Sequence, residues 1–353
     1  MRRSALMFMG ITLILSSCGQ NLELESIRTL DQGELIGLKG ENSTYTWKGV
    51  PFAEPPVGEL RWKETQKAKA WNGRLEASKF KQGCFQRASF FESGEGKWSG
   101  GEDCLYLNIW TPQLSNQEIK ESSKKLPVMM WIHGGANVVG SAHTYDPSSL
   151  VSNHEVVVVT IQYRMGPLGW FRHPALHTAE SSLEDRSGNY GTLDTIMALR
   201  WINENIHHFG GDPENVTVFG ESAGGHNSAA IFASPLAQGL FHKVIVESGI
   251  MSVSSIEAAE NYLPEDRIAP TVSGLEIFNQ VLIQNEKAAN IKEAKEIQEQ
   301  MDPEEIRALL YQQSPNVLLK AVDESAPKRD GMTRVFPDGL VILYTVSRAR
   351  SAW

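Results

Sequence analysis

The sequence predicts an α/β fold, a mostly parallel central sheet with flanking helices, and three observations carry that expectation. Val128 to Ile132, Val156 to Ile161 and Val216 to Phe219 are nearly continuous apolar runs, the pattern of strands buried on both faces. Thr192 to Asn205 has helical spacing, with Leu193, Ile196, Met197 and Trp201 on one face and Arg200 free to point outward. Strands and helices therefore alternate along the chain, as a parallel sheet requires. The third strand runs straight into Gly220-Glu221-Ser222-Ala223-Gly224, a G-x-S-x-G pattern in which a serine occupies a tight strand-to-helix turn. The two glycines let strand and helix cross closely while the hydroxyl between them stays exposed above the sheet.

Composition excludes some functions. Charged residues make up 21% and hydrophobic ones 41%, so the chain is globular rather than disordered. With 33 Lys plus Arg against 42 Asp plus Glu the net charge is -9, and no basic cluster offers a footprint for nucleic acid. No CxxC or His-rich spacing points to a metal, and no motif calls for a cofactor.

In chain order, Arg2 and Arg3 precede an apolar run from Ala5 to Leu15, too short to span a bilayer but right for a signal-peptide core, residues 1–17. Leu15-Ser16-Ser17-Cys18 resembles a bacterial lipobox, which implies cleavage before Cys18, a lipid on its sulfur and a membrane anchor in the cell envelope. Gly19 at the next position favours the outer membrane. Loss of Arg2 and Arg3 takes the charge from -9 to -11. Residues 18–26 read as a tether. Residues 27–339 read as the domain, with short hairpin strands punctuated by Gly33, Gly37 and Gly40 and a proline-rich ordered loop at 49–58. Cys84 and Cys104, twenty residues apart in an exported chain, read as one disulfide worth about 3 kcal/mol by loop closure, the alternative being two buried thiols.

Leu105 to Trp110 reads as a strand and the polar run 113–125 as a solvated loop. Residues 145–153 fit a short crossover, and Gly210 to Pro213 a turn. Ala223 to Ala233 is expected to be the helix leaving the serine, and Val244 to Val246 the next strand. From 252 to 325 the character is helical and cap-like. Residues 275–300 form a polar helical stretch, and Asp302, Pro303 and Glu305 form a helix start with a capping box. A further helix is expected at 315–322.

A serine hydroxyl needs a base to take its proton, and the oxyanion formed on attack needs preorganised donors. One donor in this turn geometry is the N–H of Ala223. Others come from a loop after an earlier strand, where His133-Gly134-Gly135-Ala136 follows Val128 to Ile132.

With these residues in view the chain resembles the type B carboxylesterases of the α/β-hydrolase fold, the group that includes the cholinesterases. The matching stretches are 49–62 (GVPFAEPPVGELRW), 102–112 (EDCLYLNIWTP), 131–136 (WIHGGA), 163–169 (YRMGPLG), 188–194 (GNYGTLD) and 209–225 (FGGDPENVTVFGESAGG). The resemblance implies hydrolysis of a small-molecule ester, with Ser222 the acyl-forming nucleophile, Gly135, Ala136 and Ala223 the oxyanion donors, and Glu221 a buried supporting acid. It also implies the pairing of Cys84 with Cys104. Asn137 departs from the aromatic residue often found at its position.

In this fold the triad runs Ser, then Asp or Glu, then His. Only His226 and His242 follow Ser222. His226 is tied to the helix leaving the turn, and His242 reads as a surface residue. Phe336-Pro337-Asp338-Gly339 resembles the segment that precedes the family's acid-bearing turn, and no such turn follows it. Asp323-Glu324-Ser325 comes in the wrong order. Residues 340–353 do not resemble the family, and the expectation is a truncated esterase, inactive alone. The alternatives are a non-catalytic cholinesterase-like binding module and a nonfunctional gene fragment.

Overall fold

A computed structural model describes residues 22–88, 98–249, 253–263, 272–325 and 334–343. The signal peptide, Cys18 and Gly19 lie outside them, as do residues 344–353. Among the described residues seven strands form the main sheet: β1 (Leu38–Lys39), β2 (Thr44–Pro51), β3 (Tyr106–Pro112), β4 (Leu126–Ile132), β5 (Val157–Ile161), β6 (Gly211–Glu221) and β7 (Lys243–Glu247). Their order is β7-β6-β4-β5-β3-β2-β1. From β7 to β5 neighbours are parallel; from β5 to β1 they are antiparallel. The sheet is thus mixed, parallel only in the half that carries the serine.

The continuous apolar runs are not all buried on both faces. β5 is buried at every residue, as its sequence predicts. β4 alternates instead: Val128, Met130 and Ile132 are buried, whereas Met129 and Trp131 are half-buried. The covered face is overlaid by Tyr190–Asn205 and Ala223–Phe232, two helices that touch each other and β6. On the other face Ser148–His154 packs against β3, burying Trp110, Val151 and Val158, while half-buried Trp131 meets Phe219 edge-on at 4.8 Å and Tyr145 at 4.9 Å.

Three connections fix the loops that meet the site. Arg164 after β5 grips Asp194 in the long helix through Nε (2.9 Å), Nη2 (2.8 Å) and its own N–H (2.9 Å), with both side chains buried. Arg61 forks onto Glu102 at 2.6 Å for each bond, and its Nη1 donates to the Gln313 carbonyl at 2.7 Å. The third is the Cys84–Cys104 disulfide.

Several expectations need correction. The run 113–125 holds a helix, Asn116–Glu121, started by a capping box in which Ser115 and Glu118 satisfy each other's backbone N–H. The polar composition concealed it, because an amphipathic turn with only Ile119 buried looks like loop. Gly211 to Pro213 belongs to β6, which absorbs the turn as a register shift against β4. Among the described residues the helical region holds a short helix, Ile256–Glu260, and then Gly274–Gln284, Ile291–Gln300, Pro303–Gln312 and Pro315–Ser325. At the start of Pro303–Gln312, Asp302 accepts from Glu304 N–H at 2.7 Å with Pro303 in the first turn, so the cap forms without the expected capping box through Glu305. Of the segment expected to diverge, Val341 and Ile342 are buried. Phe336 is held by Asn189, whose amide donates to its carbonyl and accepts from its N–H, each at 2.8 Å.

Candidate active site

Ser222 stands between β6 and the helix Ala223–Phe232 with φ 55° and ψ -118°. A non-glycine residue rarely takes such a conformation, and holding it costs about 1–3 kcal/mol that surrounding structure must offset. Two hydrogen bonds do so: Ser222 N–H donates to the Glu247 carbonyl, and His226 N–H to the Ser222 carbonyl, both at 2.9 Å. Close packing completes the constraint. A Cβ on Gly224 would stand 1.9 Å from the Ile132 carbonyl oxygen, and one on Gly220 would stand 2.5 Å from the Gly224 carbonyl carbon. Only glycine permits β4, β6 and the helix to meet this tightly.

The loop after β4 lies against the serine. A Cβ on Gly134 would be 3.3 Å from Ser222 Cβ and 2.8 Å from the Glu221 carbonyl oxygen. Gly135, Ala136 and Asn137 all have positive φ (109°, 55° and 60°), so the chain curls on itself, and the N–H groups of Val138 and Val139 both reach the Gly135 carbonyl at 3.0 Å. The loop is anchored from outside by Gly166 N–H, which donates to the Asn137 carbonyl at 2.6 Å. Tyr163 OH donates to the His133 carbonyl at 2.7 Å, and its ring stacks on the His133 imidazole at 4.5 Å. Burial pushes the His133 imidazole down to about 4, opposed by a hydrogen bond to the Gly134 carbonyl. The ring is therefore neutral near pH 7.

Asn137 does not line a pocket in place of an aromatic ring. It is fully buried, and its amide pairs reciprocally with Asn227 on the helix leaving Ser222: Asn227 Nδ2 donates to Asn137 Oδ1 at 2.8 Å, Asn137 Nδ2 to Asn227 Oδ1 at 3.3 Å. Sequence reasoning passed over Asn227. In sequence it is one of three consecutive polar residues, His226-Asn227-Ser228, in the helix Ala223 to Ala233, and nothing sets it apart from the other two.

Glu221 is a correction. The resemblance implies a buried acid, whereas here the side chain is exposed. It ends β6 beside Glu247 of β7, with the Gly134 loop near its carboxylate: a Cβ on Gly134 would be 3.3 Å from Glu221 Oε2.

Neither downstream histidine reaches the hydroxyl side of the serine as a loop-borne base. His226 is buried within the first helical turn. His242 receives Val216 N–H on Nδ1 at 3.2 Å, which fixes it at the entry of β6, six residues or about 20 Å of strand from Ser222. The acidic run is elsewhere too: Asp323 pairs with Arg87, and Glu324 accepts from Gln284 at 3.0 Å. Asp338 accepts from Ile342 N–H at 2.8 Å, and burial raises its pKa. Among the described residues no group of three or more His, Cys, Asp or Glu could hold a metal ion.

A strained serine between two glycines, with a glycine loop pressed on it from the neighbouring parallel strand, is the arrangement a family comparison can decide. The model of the carboxylesterase family matches residues 25–325. The chain belongs to the carboxylesterase family. It is 40% identical over 286 residues to human cocaine esterase, covering 77% of this chain and 48% of that one. It is 43% identical over 236 residues to para-nitrobenzyl esterase of Bacillus subtilis (strain 168), covering 66% and 45%. A solved para-nitrobenzyl esterase superposes with TM-score 0.73 at 32% identity, over 93% of this chain and 61% of that one. A carboxylesterase of Geobacillus stearothermophilus gives 0.69 and 31%, over 92% and 59%. These neighbours make the fold an α/β-hydrolase fold. The chain spans about half the length of the curated relatives it matches.

Proposed function

We propose that these residues form the nucleophile half of a carboxylic ester hydrolase working through a serine acyl-enzyme on a small-molecule ester. The observation that carries the reading is the backbone of Ser222, held at φ 55° with Gly134 against its Cβ. In the reaction Ser222 Oγ bonds to the ester carbonyl carbon, the carbonyl π electrons move onto oxygen, and the N–H groups of Gly135, Ala136 and Ala223 receive that charge. Collapse expels the alcohol, and water then releases the acid. Each half-reaction moves a proton through a base.

Residues 1–353 hold no histidine in position for that proton, so we propose that this polypeptide alone is nearly inactive. Loss of a triad's base removes roughly six orders of magnitude, leaving at most ~10³ to 10⁴ over water from donors and binding. Intact-protein mass spectrometry after incubation with p-nitrophenyl acetate tests both parts. The expected result is a slow single acetyl adduct on Ser222 that Ser222→Ala abolishes. A rapid stoichiometric burst overturns the inactivity; no adduct at Ser222 after prolonged incubation overturns the nucleophile. We also propose a lipid anchor on Cys18 holding the protein to an envelope membrane, for which Cys18→Ser should release the protein from the membrane fraction.

A further inference from the structure

The N–H groups proposed to receive the oxyanion stand on two elements. Gly135 and Ala136 belong to the loop after β4, and Ala223 opens the helix Ala223–Phe232. Donors on separate elements serve one oxygen only if their mutual placement is fixed to within about 0.5 Å. Both ends of the loop are held from outside. At its root Tyr163 OH donates to the His133 carbonyl at 2.7 Å. At its far end Gly140 N–H donates to Gln86 Oε1 at 2.8 Å, while Gln86 Nε2 donates to the Gly140 carbonyl at 2.9 Å. None of these bonds reaches the helix that carries Ala223.

Asn137 makes that link. Its φ of 60° lies in the left-handed region, which asparagine tolerates better than most non-glycine residues. There its carbonyl accepts from Gly166 N–H at 2.6 Å, and its amide forms the reciprocal pair with Asn227 at 2.8 and 3.3 Å. Asn227 is four residues beyond Ala223, so the two share one face of the helix. The Asn227 amide also faces the Tyr163 hydroxyl, where it opposes the rise that burial imposes on that phenol. One side chain thus meets both the middle and the root of the loop. Asn137 and Asn227 are 0% and 1% exposed, a depth at which a satisfied amide pair fixes orientation and a stranded amide is costly. Apolar groups of the same shape would hold loop and helix together about as firmly; what the amides add is direction.

We propose that Asn137 and Asn227 are positioning residues that set the loop donors of Gly135 and Ala136 against the helix donor of Ala223. The proposal rests on the reading of Ser222 as an acyl-forming nucleophile. Asn137 directly follows Ala136, so releasing its side chain releases the turn that aims the Gly135 and Ala136 N–H groups.

The test compares acylation of the full chain by p-nitrophenyl acetate and by its thiono analogue, in which sulfur replaces the carbonyl oxygen. Each transfers its acyl group to Ser222 Oγ and releases p-nitrophenolate, the hydroxyl proton passing to solvent, and the two adducts differ in mass on the Ser222 peptide. Sulfur accepts hydrogen bonds weakly, so donors placed for oxygen accelerate the ester far more than the thiono ester. The oxygen-to-sulfur rate ratio at Ser222, set against that of a simple alcohol, therefore reads donor placement. Removing one such donor costs about 10² to 10³ in rate, and misaiming donors should cost at least about tenfold. Asn137→Ala and Asn227→Ala should each slow ester acylation by about tenfold or more at unchanged ester affinity, with the thiono ester slowed less than about threefold. Asn137→Gly combined with Asn227→Leu strands neither amide and keeps a residue that takes positive φ. It should fold, as circular dichroism reads, even where a single variant does not, and show the same fall in ratio. Variants that keep the ester rate and the ratio overturn the proposal. So do folded variants that lose both reagents equally, as loss of packing alone would cause, and an unsubstituted chain whose ratio matches the simple alcohol, since it has no organised donors to position. An unsubstituted chain that gains no adduct at Ser222 from either reagent instead overturns the nucleophile, and the proposal with it.

Discussion

Acidification should destabilise this protein well before its carboxylates titrate, because two histidines are buried neutral. His133 and His173 are both pushed by burial down to about 4. His173 shows why in its bonds: Nδ1 accepts from Ala175 N–H at 3.1 Å while Nε2 lies 3.1 Å from Gln298 Oε1, so a proton on Nδ1 would remove an acceptor the backbone uses. Unfolded, each imidazole titrates near ~6.5. Between the two values the unfolded chain binds more protons, so stability rises with pH; it is complete above ~6.5 and is lost as pH falls toward ~4. At about pH 5 the difference is roughly 1.5 pK units per ring, about 2 kcal/mol each or about 4 kcal/mol together. Measured against the ~5–15 kcal/mol of an ordinary domain, that is a large share. His177 and His208 are also lowered by burial and act in the same sense. The raised Asp338 acts in the opposite one. Urea unfolding followed by circular dichroism from about pH 7.5 to about 5 measures the slope, and His173→Gln should remove close to half of it. A midpoint that stays flat over this range, or a slope unchanged in His173→Gln, refutes the reasoning.

Gly224→Ala forces a Cβ to 1.9 Å from the Ile132 carbonyl oxygen; a backbone atom cannot move aside cheaply, so a loss of at least ~3 kcal/mol in denaturant unfolding is expected. Asn137→Ala and Asn227→Ala should each cost about 1–3 kcal/mol by stranding a buried amide, and the double variant should cost less than their sum, a coupling read from a double-mutant cycle. Additive losses would mean the two amides do not act as a pair. Replacing both Cys84 and Cys104 by serine should lower stability by about 3 kcal/mol, the loop-closure value for this separation, seen as a lower urea midpoint.

The sequence made the strand-to-helix turn at Ser222 legible because its causes are local: small residues at fixed offsets admit one crossing of strand and helix. The long helix was equally plain, since its period is carried by large residues from Leu193 to Trp201. What stayed hidden depends on neighbours far along the chain. Nothing in the run Val128 to Ile132 says that Met129 and Trp131 will be only half-buried. Asn137 reads as an anomaly until Asn227, ninety residues on, is placed beside it. The helix at Asn116–Glu121 was missed for a third reason: one buried residue gives no periodicity, and only the Ser115–Glu118 capping box marks it.

The surroundings of Ser222 bear on the proposal that a base must be supplied to it. The helix Ala223–Phe232 fills one side, and His226 is buried within it, its main chain occupied in bonding back to the Ser222 carbonyl. The Gly134 loop fills another, and His133 at its root is turned into the stack with Tyr163 and bound to the Gly134 carbonyl. Glu221 and Glu247 end the two strands beside the serine, and both are exposed to solvent. Among the described residues the remaining approach lies over the exposed ends of β6 and β7. A base delivered there would need to come within ~2.6–3.2 Å of Oγ while the loop and helix keep their places.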